Sequence, residues 1–382
     1  MALPGSADVV VVGGGLAGAG AACLLAQAGT EVLLLEREAG PTDKICGEFL
    51  SGETQNYLRR LGLDLDALGG HRTRRLRLVR NKKVVEAMLP FAGLGLSRRC
   101  LDEALLHHAE HCGAMVRRGQ RISITSHQGP IELASTDGAT VTAANLFLAT
   151  GKHDLRTLRR KPVTSPENLV GFKMYFELTP SQSKALQDHV ELVLFARGYA
   201  GLQMVEDGRV NLCLLADRAW LLECGGSWDD LLFQLRRTCP HLQQRLQDAT
   251  PLLQQPLSIY RVPYGFVHAP SSDDPRGIYR LGDQMGVISS FTGDGMGIAL
   301  HTAAVAADSY LAGQSADTYH RQIRHDIAGQ ISRAGLLYKA SRSPLGQHIL
   351  MGMANLYPRS LGLAANLTRI PAHALARAMP QQ

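Results

Sequence analysis

The stretch VVVVGGGLAGAGAACLLAQAGTEVLLLER, Val9 to Arg37, constrains the fold more than any other part of the chain. Asp8 to Val12 is a β-branched run, Gly13, Gly15 and Gly18 follow as G-x-G-x-x-G, and Ala19 to Ala28 has the small, apolar composition of a tightly packed helix. The order is strand, turn, helix. Gly13 permits the tight turn, Gly15 lets the backbone approach a pyrophosphate at the positive helix end, and Gly18 with Ala22 lets helix and sheet close together. A second strand, Glu31 to Leu35, delivers Glu36 and Arg37 about 20 residues on, where a ribose hydroxyl needs an acceptor. This predicts a Rossmann-like α/β dinucleotide site that uses Gly13, Gly15, Gly18, Glu36 and Arg37.

Composition narrows the class. The chain has 382 residues, 45% of them hydrophobic, enough for one large discontinuous domain or two ordinary ones. A net charge of +6 argues against a nucleic-acid binder and suits a phosphorylated cofactor or an anionic carrier. Seven cysteines without framework spacing predict free thiols and a cytoplasmic setting. The apolar N-terminus lacks the basic segment of a signal peptide, and no run of ~18 apolar residues predicts a membrane span. His107, His108, His111 and Cys112 share a helical face, but no second-helix partner is evident and no metal is expected.

Two later segments decide between dinucleotides. Ser97-Arg98-Arg99-Cys100-Leu101-Asp102 leads into a helix, and Tyr279-Arg280-Leu281-Gly282-Asp283 ends a strand before GVISSFTGDGMGIALHTAAVAA. Together with the first motif they resemble the flavoprotein family of aromatic hydroxylases, such as p-hydroxybenzoate hydroxylase, geranylgeranyl reductases and flavin halogenases. That resemblance implies FAD. It implies that Arg98 contacts the ribityl or pyrophosphate region, that Asp283 holds a ribityl hydroxyl, and that Gly293, Gly295 and Met296 face the flavin. Ala149-Thr150-Gly151 is similar to the motif closing the FAD domain, so Thr150 and Gly151 join the cofactor set. Hydroxylases carry Asp-Gly at that place, associated with NADPH. Here Lys152-His153-Asp154 follows instead, and NAD(P)H is the expected electron donor.

A second question comes from DKICGEFLSG. Geranylgeranyl reductases resemble it with a Cys-Gly pair close to the flavin, which implies that Gly47 permits close backbone approach and that Cys46 lines the substrate side. A thiol there packs against substrate or donates a proton, and Lys44 is placed to lower its pKa. Glu48 reads as a loop acid or cap. The tyrosine of the reductase pattern Y-x-W-x-F-P survives in Tyr199-Ala200-Gly201-Leu202-Gln203-Met204, but neither that pattern nor the halogenase W-x-W-x-I-P is complete, which disfavours a halogenase. Ser290 stands where relatives carry proline before the glycine turn. Tyr264, in Arg261-Val262-Pro263-Tyr264-Gly265-Phe266, is expected on the pocket wall and, with Cys46, is the candidate catalytic residue.

The expected architecture is a discontinuous FAD-binding domain over residues 1–75, 97–165 and 276–317. An inserted antiparallel substrate sheet takes 76–96 and 166–275, and a helical C-terminus takes 318–382. The basic run from Arg72 to Lys83 reads as a solvated hairpin, with docking of an anionic carrier or membrane as the other reading. Leu345, Ile349, Leu350, Met353 and Leu356 give an apolar helical face that packs on the protein, covers a lipophilic substrate or touches a membrane. The first functional expectation is a monooxygenase acting on a lipophilic aromatic or polyketide-like small molecule. The alternatives are a flavin reductase of isoprenoid double bonds and a non-enzymatic flavin-binding or electron-carrier module.

Overall fold

The computed structural model describes residues 3–127, 129–160 and 168–379. Among them, seven strands form a first sheet whose centre is parallel: Met115–Arg117, Val32–Leu35, Ser6–Val12 and Thr140–Leu148, with Ile278–Arg280 also paired to the last. Two antiparallel strands, Ile131–Ser135 and Ile122–Ser126, extend the edge. Val32–Leu35 is buried at every position because the sheet is covered on both faces, as continuous apolar strands require. Helices Leu16–Gln27 and Gly295–Leu311 cover one face, and small residues set their spacing: a Cβ on Gly20 would come 3.3 Å from Leu300. Each Val or Leu buried there contributes about 1.5–3 kcal/mol.

The second sheet has nine strands among the described residues. Its middle runs Leu169–Glu177, Val210–Asp217, Gly198–Met204, Asp188–Phe195, His71–Arg80 and Lys83–Gly95, all antiparallel neighbours except Asp188–Phe195 against His71–Arg80, which is parallel. Period-two alternation divides its faces. Phe172, Met174, Ala200, Leu202, Leu212 and Leu214 join an apolar layer with Trp220, Trp228 and Leu231. The intervening positions, including Lys173, Tyr175, Gln203 and Asn211, point the other way and meet the loop at residues 44–48.

The hairpin starts at His71 and not at Leu76, so residues 71–75 belong to this sheet and not to the nucleotide domain. The expected boundary between 165 and 166 lies outside the described residues. Much of the basic run is paired within the protein: Arg72 with Asp66, Arg75 with Glu86, and Arg77 with Glu86 and the buried Glu191.

The C-terminal helices begin at Ala316, two residues before the expected boundary at 318. Ala316–Arg342 buries Tyr319, Ile323, Ile327 and Ile331 against the nucleotide domain. Pro344–Leu356 and Arg359–Leu367 follow, and Met351 and Ala354 pack in one cluster with Tyr338, Tyr199 and Leu215. No helix among the described residues is long and apolar enough to cross a membrane.

Candidate functional site

Between the two sheets lies a cavity of about 970 Å³, running from Glu36 and Gln120 to Tyr264 and Ser290. Its nucleotide end is made largely of backbone. Gly13 has φ +107°, and a Cβ there would stand 2.4 Å from the Ala149 carbonyl oxygen. The helix Leu16–Gln27 starts at Gly15 without a side-chain cap, so its first N–H groups are free to meet an anion. Gly18 does not touch the cavity. A Cβ there would lie 1.9 Å from the Gly13 carbonyl oxygen, so its role is to let the helix start close to the strand. The Glu36 carboxylate accepts from the N–H groups of Gly14 and Glu38, and Arg37 pairs with Glu38 at the rim.

Opposite Gly15 stand two cations that share one acid. Arg98 donates twice to Asp102, at 2.6 and 2.8 Å, and Lys44 donates to the same carboxylate at 2.6 Å. Against the cost of burial, Arg98 and Lys44 hold Asp102 below the ordinary carboxylate range. The cluster keeps a net positive charge where a pyrophosphate would lie. The sequence motifs do not single out Lys44 as a cofactor residue, yet it lines the cavity, and it pairs with Asp102 instead of the Cys46 thiol. Asp283, Thr150 and Gly151 line the same cavity, and the Thr150 hydroxyl donates to the His153 carbonyl at 2.6 Å.

The loop carrying Cys46 and Gly47 is held by its carbonyls. Lys173 donates to Lys44 O at 3.0 Å, Lys152 to Ile45 O at 3.2 Å, Asn211 to Cys46 O at 2.9 Å and Gln203 to Gly47 O at 2.8 Å. Four consecutive peptide groups are thus fixed by four side chains, three of them from the second sheet. Glu48, at φ +61° and fully buried, accepts from Lys173 at 2.5 Å, from Tyr175 and from the Arg98 N–H. Burial raises the Glu48 pKa, and Lys173 opposes that rise. The glutamate of DKICGE is therefore the anchor of the loop. The Cys46 sulfur accepts from the Glu48 N–H at 3.3 Å and lines the cavity.

The far end is apolar with a chain of hydroxyls. Ser290 Oγ lies 2.5 Å from the Tyr199 hydroxyl and 2.9 Å from that of Tyr264. Burial pushes both tyrosines above the ordinary phenol range, so they remain protonated near neutral pH. Cys213, on the neighbouring strand, is pushed up to about 12, chiefly by burial. Gly201 occupies the tryptophan position of the expected pattern, and a Cβ there would meet nothing closer than 3.9 Å. Gly293, at φ +68°, Gly295 and Met296 form the cavity wall at the start of Gly295–Leu311. Their turn is held from behind: buried Asp294 accepts from Ser51 at 3.1 Å, from Arg369 at 2.8 Å and from Gln330. Arg369 and Gln330 come from the C-terminal helical region, which the sequence motifs did not connect to the site.

These features fit FAD: an uncapped helix start, a paired-cation wall and a long cavity ending at a second uncapped helix start. Residues 6–158 match the FAD binding domain family model. The chain shares its fold with solved flavin-dependent enzymes. The flavin-dependent brominase Bmp2 superposes with a TM-score of 0.76 at 18% identity, covering 98% of this chain and 97% of that one. PqsL from Pseudomonas aeruginosa, a probable FAD-dependent monooxygenase, gives 0.71 at 16% identity over 90% and 98%. A menaquinone reductase of Mycobacterium tuberculosis is 30% identical over 226 residues, which are 56% of this chain and 55% of that protein. The chain thus spans about half the length of the curated relatives it matches.

The histidine-rich helix has a second-helix neighbour that the sequence did not reveal. Cys112 lies 3.3 Å from Cys23 and 3.6 Å from His108. Burial pushes the Cys23 thiol up, which favours a packed thiol over a metal-binding thiolate. His107 pairs with Glu103 and Glu110 instead.

Proposed function

We propose that the protein is an FAD-dependent oxidoreductase, and within that class a monooxygenase that hydroxylates a lipophilic aromatic or polyketide-type molecule with NAD(P)H as electron donor. The observation that carries this reading is the Tyr199–Ser290–Tyr264 hydroxyl chain at the apolar end of the cavity. A phenolic ring seated there finds apolar walls for its body and a neutral hydroxyl chain that can orient its oxygen by hydrogen bonding at Ser290 Oγ. Bound FAD would supply the redox chemistry, joining nicotinamide oxidation to dioxygen use. One oxygen atom enters a ring C–H bond and the other leaves as water, with two electrons from NAD(P)H. The strapped 44–48 loop and the turn fixed by Asp294 keep the walls rigid and exclude water.

A second reading is a flavin reductase that saturates an isoprenoid double bond. It is favoured by Cys46-Gly47 on the cavity wall and by the menaquinone reductase relatives. Turnover with labelled dioxygen separates the two. Label in the product and loss of turnover without air support the hydroxylase, whereas anaerobic product carrying two added hydrogens overturns it. A protein that takes up flavin and electrons yet turns over no phenolic or isoprenoid compound is an electron carrier. Tyr264→Phe and Ser290→Ala each remove a hydroxyl that orients the ring and are expected to lower turnover by up to about tenfold, with flavin content unchanged.

A further inference from the structure

The outer surface of the C-terminal helices is unlike the rest of the molecule. Eight of the fifteen exposed large hydrophobic side chains among the described residues lie between Leu336 and Leu367. On Pro344–Leu356 they follow one stripe, Leu345, Ile349, Met353 and Leu356, and the first and last are 72% and 86% exposed. Leu363 and Leu367, four residues apart, form an exposed apolar pair on the next helix, Arg359–Leu367. Scattered apolar side chains on a surface need no explanation, but a stripe along a helix followed by such a pair does.

Charge points to what covers it. Residues 327–382 contain six of the 40 Lys and Arg and no Asp or Glu, so the rest of the chain balances at 34 of each sign and the whole net charge of +6 resides here. Arg369 and Arg377 are committed to Asp294 and Asp326. Arg333, Lys339 and Arg359 are exposed and make no ion pair among the described residues. On the basic hairpin the arginines at 72, 75 and 77 are neutralised by neighbouring acids, while Arg74, Lys82 and Lys83 make no ion pair among the described residues.

We propose that the outer face of Pro344–Leu356 and Arg359–Leu367 docks on an anionic phospholipid bilayer, the apolar stripe entering the headgroup boundary and the cations meeting lipid phosphates. A second copy on this face would bring like charges together, and an acidic carrier would supply charge without apolar depth. The inner side of the same helices packs, through Met351, Ala354 and Leu361, in one cluster with Tyr199 and Tyr264. The bilayer would therefore lie one helix layer from the hydroxyl chain. That link to substrate rests on the proposed reaction; the docking itself does not.

The test is flotation of the full FAD-loaded chain with vesicles of phosphatidylcholine containing phosphatidylglycerol, against phosphatidylcholine alone. Binding to the anionic vesicles, reversed by high salt, is expected. Ile349→Glu with Leu356→Glu should abolish it, and Arg359→Gln should weaken it roughly fivefold. Phe233→Glu, which alters an aromatic ring 62% exposed on another helix, should leave it unchanged. Flavin content and melting temperature in each variant separate lost docking from lost fold. The proposal falls if the protein ignores both vesicles, or if the Ile349→Glu/Leu356→Glu variant floats like the parent. It also falls if light scattering shows a dimer that these substitutions split. A chain that floats but hydroxylates nothing overturns the proposed reaction and leaves the docking surface standing.

Discussion

On the nucleotide side of the cavity one wall is backbone, set by Gly13, Gly15 and the helix start behind them. On the roof side the loop at Cys46 is held by side chains of Lys173, Gln203 and Asn211, more than a hundred residues away in the chain. Backbone sites tolerate almost no added atom, because a carbonyl cannot move aside. Side-chain sites tolerate exchange where a neutral hydrogen bond is lost, and tolerate little where a buried charge is left alone.

The first way to break the comparison is Gly13→Ala, which combines a positive φ with a Cβ 2.4 Å from the Ala149 carbonyl oxygen. Purified protein is expected to contain no flavin, read from its absorbance; an occupied variant would show that the backbone side yields as readily as the roof. Next is Lys173→Met, which leaves Glu48 buried without its cation and is expected to cost about 3–5 kcal/mol in denaturant unfolding. Adding Glu48→Gln should recover part of that loss by removing the charge. No recovery would mean that Lys173 acts through its bond to the Lys44 carbonyl alone.

Glu36→Ala tests the ribose acceptor expected at the nucleotide end. Loss of a charged acceptor is expected to weaken FAD by about 1.5–3 kcal/mol in a fluorescence titration. Unchanged affinity would mean that its bonds to Gly14 and Glu38 merely shape the loop.

The same contrast explains what could be read in advance. Strand, glycine turn, helix and Glu36 fit in one short window, so local sequence carries the dinucleotide fold, whereas FAD needed the two later motifs as well. Lys173, Tyr175, Gln203 and Asn211 look like the polar side of ordinary half-buried strands, and only the packing of a distant loop against them gives them a role. Lys44 and Asp102 likewise sit 58 positions apart, and neither motif signals that they meet beside Arg98. Glu48 carried one usable signal, an acid directly after Cys-Gly before an apolar strand, but its buried partner could not be inferred from spacing.

The smallest expected effect belongs to Cys46, where the two sides of the cavity meet. Its carbonyl is fixed by Asn211 and its sulfur accepts from the Glu48 N–H, so neither Cys46→Ser nor Cys46→Ala should disturb the fold or flavin content. If the thiol gives a proton to substrate, Ala loses turnover and Ser restores part of it. If it is a wall, both variants lose less than about tenfold, with product distribution shifting more than rate. Wild-type kinetics and products in both would assign the loop's function to its strapped backbone, with the cysteine serving only as a small side chain that fits beneath the roof.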